Sequence, residues 1–296
     1  HNSIFEYILY ILGTLLILNI IYRFLFPSCE GFETQKQLIM KEGEDIYDEF
    51  YADTYDMVLY NKDRNAFELD VIKKHAKFTD KSIVLDVGSG VGHHVKQLSD
   101  INVKAVGIDT SPAMITKAKK LYPDQNYFNL DARDVTSFPE NTFTHITCFN
   151  FTIYYMQNKN QFFENCYKWL KPGGYIVLNV VDKHKFDPVL SSANKFNLST
   201  SKYVEKCKHH TKLKLVDYDY KSNIEIYPND ATAVFRENFK EIKTGHIRKH
   251  ELRLFMPSQK ELINMAKSIG FIILTQVDMS TCNAKSQYLY ILQKPT

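Results

Sequence analysis

The stretch Val84–His94, VLDVGSGVGHH, places an apolar run, an aspartate and three alternating glycines one after another. An apolar run that stops at glycines is typical of a buried strand ending in a tight turn. Glycine permits a positive φ and lets a ligand approach the backbone closely. The stretch therefore predicts a strand whose carboxyl end faces a ligand.

The spacing of these glycines separates two kinds of nucleotide ligand. A dinucleotide-binding fold would have GxGxxG, with its third glycine at position 93. This chain has His93 there and its third glycine at Gly92, so the pattern is GxGxG. Asp86, two residues before Gly88, would also repel a pyrophosphate because both are anions. A ligand with an ammonium group and no phosphate suits this aspartate, and S-adenosylmethionine is such a ligand.

Asp109 ends a second apolar stretch, Val106-Gly107-Ile108-Asp109. An acidic residue at the tip of the second strand can accept hydrogen bonds from both hydroxyls of a ribose. At this distance after the alternating glycines, Asp109 indicates a nucleoside ligand. The alternative is that Asp109 caps a helix and that Asp131 merely ends a strand.

Predicted strands and helices alternate over most of the chain. Strands are expected at 82–87, 104–109, 127–130, 145–150, 174–181, 271–277 and 287–293, and helices at 66–77, 92–98, 112–121, 159–169 and 258–268, with a further helix starting near Asp45. Such alternation is typical of a parallel sheet with helices on both faces. We therefore expect an α/β fold, Rossmann-like and doubly wound, with a mostly parallel seven-stranded sheet.

Residues 183–256 interrupt this alternation. Aromatic and β-branched stretches are separated there by turn residues, at 212–220, 223–227, 231–239 and 248–255. The pattern predicts an antiparallel meander, inserted at one edge of the sheet as a cap over a substrate. Residues 45–296 would then form one domain.

The first thirty residues are the most apolar part of the chain. Tyr7–Tyr22 reads YILYILGTLLILNIIY, and twenty helical residues span roughly 30 Å, the thickness of a bilayer's hydrocarbon core. We expect a transmembrane anchor over 1–28 and a linker over 29–44, with a signal peptide or a buried helix as alternatives. Basic residues after the span place the main domain on the cytosolic side of a single-pass membrane protein, or inside the internal membrane of a virion.

Charge and cysteine content bound the partners. Residues 30–182 carry 17 Lys/Arg and 22 Asp/Glu, whereas residues 183–296 carry 19 and 11. The basic half is either solvated surface or a face for an anionic substrate, membrane or nucleic acid. Five scattered cysteines without a CxxC pair fit a reducing compartment. The run Cys207-Lys208-His209-His210 has no second ligand pair at a suitable spacing, so no metal site is predicted.

Five segments, in order, resemble class I S-adenosylmethionine-dependent methyltransferases of the branch that acts mostly on small molecules. They are VLDVGSGVGHH, VGIDTSPAMITKAK, NLDARDVTSFPENTFTHITCFNFTIYY, NCYKWLKPGGYIVLNVVD and SQKELINMAKSIGF. The resemblance runs from about Asp45 to the C-terminus and is poor over 183–256. The same segments are similar to methyltransferase-like proteins of large DNA viruses and algae, which leaves open a viral or virion protein.

The resemblance implies S-adenosylmethionine as the cofactor and assigns residues to its parts. In order from its methionyl end, these are Asp86, Gly88, Ser89 and Gly90 for the methionyl group, Asp109 for the ribose, Thr110 and Met114 for the adenosine, Asp131 and Ala132 for the adenine, and Asn150 and Phe151 beside the sulfonium. His93 and His94 are bulky immediately after the glycines and could close the crevice.

Methyl transfer from a sulfonium needs mainly in-line positioning and exclusion of water, because the methyl group is already activated. A base is needed only if the acceptor must lose a proton. The catalytic candidates on the acceptor side are Tyr154, Tyr55 and His184, together with Tyr47, Tyr51 and Tyr155. Of these, Tyr47, Tyr51 and Tyr55 resemble the lid tyrosines of the family, and His246 and His250 are weaker candidates. For each of them, packing in the core or the lid is the alternative.

The sequence thus predicts a membrane-anchored methyltransferase that transfers methyl by in-line displacement to a small-molecule or lipid-like acceptor. One alternative is a catalytically inactive structural protein with the same fold, such as a membrane-anchored virion component with assembly partners. A third interpretation is an RNA methyltransferase that uses the basic half. It ranks last because the sequence contains no RNA-stacking motif.

Overall fold

The computed structural model describes residues 4–25, 37–185, 208–227 and 231–296. These residues form two β-sheets with helices packed around them. The strands are β1 (Leu38–Glu42), β2 (Ile83–Val87), β3 (Lys104–Asp109), β4 (Asn126–Asn129), β5 (Phe143–Cys148), β6 (Leu170–Val181), β7 (Lys208–Lys214), β8 (Tyr218–Tyr227), β9 (Thr232–Glu241), β10 (Ile247–Phe255), β11 (Ile272–Asp278) and β12 (Gln287–Gln293). The helices are α1 (Ile4–Leu25), α2 (Glu49–Val58), α3 (Lys62–His75), α4 (His93–Asp100), α5 (Pro112–Leu121), α6 (Thr152–Tyr155), α7 (Lys159–Trp169) and α8 (Gln259–Ile269).

The seven-stranded sheet has the order β11-β12-β6-β5-β2-β3-β4. Strands β4, β3, β2, β5 and β6 are parallel to their neighbours, and β12 and β11 add to the β6 edge in antiparallel fashion. The prediction of a Rossmann-like, mostly parallel seven-stranded sheet is therefore confirmed. Because the chain first adds strands on one side of β2 and then on the other, a crevice opens at the carboxyl ends of β2 and β5.

Helix ends follow the capping signals in the sequence. The Ser111 side chain accepts the backbone N–H of Met114, and Pro112 is the first residue of α5, as predicted. Helix α3 begins at Lys62, four residues before the predicted start. The reason is that the Asn61 side chain accepts the N–H groups of the first turn and so caps the helix earlier.

The predicted meander forms a sheet of its own, which corrects two expectations. Its order is β1-β10-β9-β8-β7, so it pairs with no strand of the seven-stranded sheet and is not inserted at that sheet's edge. Its outer strand β1 lies in the predicted linker and pairs in parallel with β10, from Leu38 opposite Ile247 to Glu42 opposite Glu251. The predicted break near residue 221 is absent, because β8 runs continuously along β9.

Aromatic packing joins the two sheets through α2. Phe239 of β9 is buried, and its ring centroid lies 5.2 Å from Phe50 of α2, 4.8 Å from Tyr220 of β8 and 5.3 Å from His250 of β10. Phe239 and Tyr220 belong to the same core cluster as the inner face of the seven-stranded sheet, and Phe50 packs against it. The second sheet is thus held against the end of the first by a shared core.

Helix α1 is continuous over twenty-two residues, and its described leucine and isoleucine side chains, such as Leu12, Leu15 and Leu16, are exposed. Counting only the residues that the structure describes, no helix is both long and apolar enough to cross a membrane.

Replacing Phe239 tests the shared core. Because its ring is 1 % exposed, Phe239→Ala is expected to lower the free energy of unfolding by about 3–5 kcal/mol in urea titration. The control is Val216→Ala, since Val216 is 87 % exposed and its truncation should change stability by less than about 0.5 kcal/mol. Equal effects of the two substitutions would contradict this packing.

Candidate functional site

One cavity lies at the carboxyl ends of β2, β3 and β5. Its floor is the loop after β2 and the tips of β3 and β5, one wall is α2 and the turn before it, and the opposite wall is the inner face of β9 and β10. The cavity therefore extends from the seven-stranded sheet to the five-stranded sheet. The end of the cavity at the first sheet has features typical of nucleoside binding. The end at the second sheet is a separate chamber.

The glycines of the β2 loop shape the floor of the cavity. Gly88 has φ +70°, and a Cβ there would collide with the side chain of Thr152. Gly90 has φ +54°, and a Cβ there would meet only the Tyr55 ring, at 3.8 Å, so its cavity side is open. The loop thus exposes backbone where a side chain would otherwise stand, as the glycine pattern predicted.

Asp109 fixes this loop from the neighbouring strand. Its Oδ2 accepts the N–H of Gly90 at 3.0 Å, and its Oδ1 accepts the N–H of Ser111 at 2.9 Å. Burial raises the pKa of Asp109, although these two hydrogen bonds act in the opposite direction. Asp109 lines the cavity, and each of its oxygens has a second lone pair. It can therefore accept two ligand hydroxyls without losing its backbone partners.

The wall beyond Asp109 is a mostly apolar slot. Thr110, Met114, Asp131 and Ala132 all line it, as the sequence predicted. Met114 and Ala132 are almost completely buried. The Asp131 carboxylate is bound by Arg133 at 2.7 Å, which lowers the pKa of Asp131 despite the opposing effect of burial. Asp131 thus stands at the predicted place with its charge already paired.

Asn150 and Phe151 form the floor at the tip of β5 in strained conformations. Both have positive φ, +48° and +66°, which is uncommon outside glycine and concentrates at functional sites. The Asn150 side chain accepts a hydrogen bond from Arg64 and donates one to the Tyr55 hydroxyl at 3.2 Å. Asn150 therefore connects α2, α3 and β5 around the cavity.

Arg64 is a cavity residue that the sequence did not reveal. Its side chain is 3 % exposed, lines the cavity and lies 3.7 Å from the Glu68 carboxylate. An arginine among charged neighbours at the start of a helix is usually solvated, which is why no pattern singled it out. Its spacing of four from Glu68 was the available signal.

Asp86 and Ser89, which the resemblance assigns to the methionyl group, lie behind the cavity wall. Neither lines the cavity. The Asp86 carboxylate is 2 % exposed and accepts the Thr147 hydroxyl at 2.7 Å, and burial raises its pKa. Ser89 packs its hydroxyl against Gly107. Both side chains are turned into the sheet, so they support the loop from beneath.

The two histidines after the glycines leave the crevice open. His93 binds Asp56 and Tyr122, both at 2.7 Å, and does not line the cavity. His94 is buried, and its Nε2 lies 2.7 Å from Glu68. Burial lowers the pKa of His94, but the hydrogen bond and charge of Glu68 outweigh burial and raise it overall.

Of the three catalytic candidates, only Tyr55 lines the cavity. Tyr154 is completely buried, and its hydroxyl accepts the backbone N–H of Val181 at 3.0 Å, so it joins α6 to β6. His184 is exposed and lies outside the wall. These positions correct the expectation for Tyr154 and His184, whose side chains do not reach the cavity.

The chamber beside the second sheet is lined by tyrosines and one glutamate. The defining residues are Tyr47, Tyr51, Tyr155 and Glu237, and we call them the tyrosine chamber. Burial raises the pKa of Tyr155 to about 12, and it also raises the pKa of Tyr47, Tyr51 and Tyr55. These hydroxyls therefore remain protonated near neutrality.

Glu237 is the second cavity residue that the sequence did not reveal. It is 4 % exposed, and it accepts the hydroxyl of Tyr220 at 2.7 Å and that of Tyr51 at 3.4 Å. In β9 it takes an inward position between Phe235 and Phe239. Alternate side chains of β9 point inward. A carboxylate among these otherwise apolar side chains was the signal that could have identified Glu237.

Residues 85–178, from β2 to β6, match the family model described as Methyltransferase domain. Over these residues the chain is similar to that family. Its fold is that of the class I, S-adenosylmethionine-dependent methyltransferases. The matched residues hold most of the nucleoside-type part of the cavity, whereas Glu237 and the second sheet lie outside them.

Known proteins agree with this assignment. The phosphoethanolamine N-methyltransferase of Plasmodium falciparum is 28 % identical over 144 residues, which are 46 % of this chain and 51 % of that protein. The chain thus spans about half the length of this relative. The CcbJ methyltransferase of Streptomyces caelestis superposes with a TM-score of 0.64 at 17 % identity, covering 84 % of this chain and 98 % of that one. S-adenosylmethionine-bound CalS10, an amino pentose methyltransferase from Micromonospora echinaspora, gives 0.60 at 16 %, with coverage of 83 % and 96 %.

The residues of the methyltransferase domain fit the cofactor of this family, S-adenosylmethionine. Asp109 offers two oxygens to the ribose, and the slot of Met114 and Ala132 suits an adenine ring. The open backbone at Gly90 allows close approach of the methionyl group. The Arg64 guanidinium, buried in the wall, suits its carboxylate.

Asp109→Asn tests the ribose contact. The amide retains an oxygen for one backbone N–H but loses the charge, so affinity for S-adenosylhomocysteine should fall roughly 10- to 100-fold in isothermal titration. The control is Asp134→Asn, because Asp134 is exposed and bonded to nearby Thr136. An unchanged affinity in Asp109→Asn, with an unchanged melting temperature, would contradict the assignment.

Proposed function

We propose that the chain is an S-adenosylmethionine-dependent methyltransferase that acts on a small molecule. The observation that carries the proposal is a cavity that has a nucleoside-type wall at one end and the tyrosine chamber at the other. S-adenosylmethionine supplies an activated methyl group. The protein's task is then to align an acceptor with it and to exclude water.

The tyrosine chamber is suited to that task. Tyr47 and Tyr155 both line the cavity, and their pKa values are raised by burial and, to a smaller extent, by the charges of Glu237 and Asp109. Their rings are 5.8 Å apart. An acceptor beside this pair would contact aromatic surface and lie close to the methyl group. Tyr55, which is hydrogen-bonded to Asn150, lines the cavity from α2.

The relative from Plasmodium falciparum supports a nitrogen acceptor. Its name describes N-methylation of phosphoethanolamine, which is a primary amine. The family match ends at residue 178 and does not include the second sheet, so the acceptor's identity has to be argued from this chain's own residues.

Binding and transfer can be tested on the full chain in one series. S-adenosylhomocysteine should bind with one-to-one stoichiometry in isothermal titration, and methyl-labelled S-adenosylmethionine should transfer label to members of a panel of small amines, alcohols and carboxylic acids. Absence of nucleoside binding would contradict the proposal and leave an inactive scaffold. Label transfer to RNA instead of the panel would contradict the small-molecule assignment.

We further propose that α1 attaches the domain to a membrane, with the domain on the cytosolic side and a lipid-like acceptor within reach. Support comes from the apolar sequence of α1 and its exposed leucines and isoleucines. The full chain should float with phosphatidylcholine liposomes in a density gradient, whereas a variant lacking residues 1–28 should remain at the bottom. If the full chain also remained at the bottom of the gradient instead of floating with the liposomes, the attachment would be contradicted.

A further inference from the structure

We propose that Glu237 is the residue that recognises the acceptor, by binding its amino nitrogen within the tyrosine chamber, and that this acceptor has an apolar body and no phosphate. The inference rests on the proposed methyl transfer and deepens it. Glu237 lies on the second sheet, outside the residues that match the methyltransferase family.

The hydrogen bonds around His250 leave the Glu237 carboxyl group, which lines the cavity, without a cationic partner among the described residues. Arg248 Nε lies 2.7 Å from His250 Nε2, and a guanidinium can only donate, so Nε2 must accept. The ring hydrogen is therefore on Nδ1, which donates to Glu237 Oε2 at 3.2 Å. Glu237 thus receives hydrogen bonds from His250 and from two tyrosines, and no lysine or arginine of the described residues pairs with it.

Arg248, which donates to His250, has its own acidic partner. Arg248 Nη2 binds Asp48 Oδ2 at 2.6 Å, and its guanidinium lies over the Phe50 ring at 4.5 Å. Hydrogen bonds thus connect Asp48, Arg248, His250 and Glu237 in that order. The Glu237 carboxylate is the last group and lies at the cavity. A buried carboxylate is costly without a cation, and a ligand ammonium group in the chamber would supply one.

Aromatic rings surround the place where that ammonium group would lie. Tyr47 and Tyr51 have ring centroids 5.2 Å apart, and Tyr51 lies 5.4 Å from the His250 ring. Tyrosine faces attract cations through their quadrupole, which adds to the attraction of the carboxylate. The combination of rings with one acidic group is selective for a cationic or cation-forming nitrogen.

The rest of the chamber predicts the acceptor's body. Phe235, Leu252 and Leu254 line the cavity next to Glu237, so an apolar group fits there. Within the described residues, the arginines of the cavity wall are Arg64 and Arg133. Arg64 lies beside Asn150 at the end assigned to the methionyl carboxylate, and Arg133 is bound to Asp131. A phosphate in the chamber would meet the Glu237 charge instead, which separates this acceptor from phosphoethanolamine.

The carboxylate also suits the charge movement of N-methylation. An acceptor that arrives as the ammonium ion first loses one proton to water, because only the free amine has a lone pair. That lone pair forms the bond to the methyl carbon while the carbon–sulfur bond breaks, and that bond's electron pair remains on sulfur. A positive charge moves from sulfur to nitrogen, the product leaves as the methylated ammonium ion, and Glu237 would stabilise this charge as it develops at the reacting nitrogen.

The test is a titration of cyclohexylamine, a cation at neutral pH, into the full chain saturated with S-adenosylhomocysteine, with cyclohexanol as the uncharged analogue and phosphoethanolamine as the phosphorylated one. Cyclohexylamine should bind at least about tenfold more tightly than either. Glu237→Gln should remove this preference while S-adenosylhomocysteine affinity changes less than about twofold. Glu237→Asp keeps the charge and should retain part of the preference.

The control is Glu251→Gln, because Glu251 lies on the neighbouring strand and pairs with Arg236 away from the cavity. Absence of amine binding, or an amine preference that survives Glu237→Gln, would overturn the inference while nucleoside binding still supported the proposed function. Tighter binding of phosphoethanolamine than of cyclohexylamine would also overturn it. Absence of nucleoside binding would instead count against the proposed function itself. Thermal unfolding of each variant shows whether the substitution impairs folding. If Glu237→Gln does, the amine preference of Glu237→Asp decides the outcome.

Discussion

The two backbone hydrogen bonds accepted by Asp109 fix the geometry on which the rest of the site depends. One comes from Gly90 in the loop after β2, the other from Ser111 at the start of α5. They hold the tips of two neighbouring parallel strands in one arrangement. Since the carboxylate stays at the cavity wall with free lone pairs, the contact that builds the loop also presents an acceptor to a ribose.

The second sheet supplies cavity residues that lie outside the part of the chain matched to the methyltransferase family. It packs through Phe239 and Phe50 against α2, and so brings Glu237 to the cavity from outside the matched methyltransferase residues. The Arg248–Asp48 pair then joins β10 to the residue that caps α2. A single packing arrangement therefore both closes the cavity and sets the orientation of the buried carboxylate.

Much of the fold could be predicted from the sequence, because apolar periodicity and capping residues are local signals. The strands at 104–109 and 287–293 have the predicted bounds. Strand β1 was missed because it is short, and its partner β10 lies some two hundred residues away in the chain. The separate second sheet was missed for the same reason, since strand pairing is non-local.

Cavity-lining residues were predicted where the position of the backbone decides whether a residue reaches the cavity. They were missed where the direction of the side chain decides it. Gly90 and Asp109 line the cavity because glycine spacing and strand ends fix their positions. Asp86 does not, because its side chain turns into the sheet. Tyr155 reaches the cavity whereas the adjacent Tyr154 packs against β6, a difference of one helical position. Glu237 was missed because no sequence pattern reports which distant residues surround a strand's inward face.

A crystal structure of the full chain with S-adenosylhomocysteine tests the central claim most directly. The account predicts both ribose hydroxyls on the Asp109 carboxylate, the amino-acid carboxylate near Arg64, and the sulfur directed towards the tyrosine chamber and Glu237. A nucleoside bound outside this cavity, or one whose sulfur faces away from the second sheet, would contradict it.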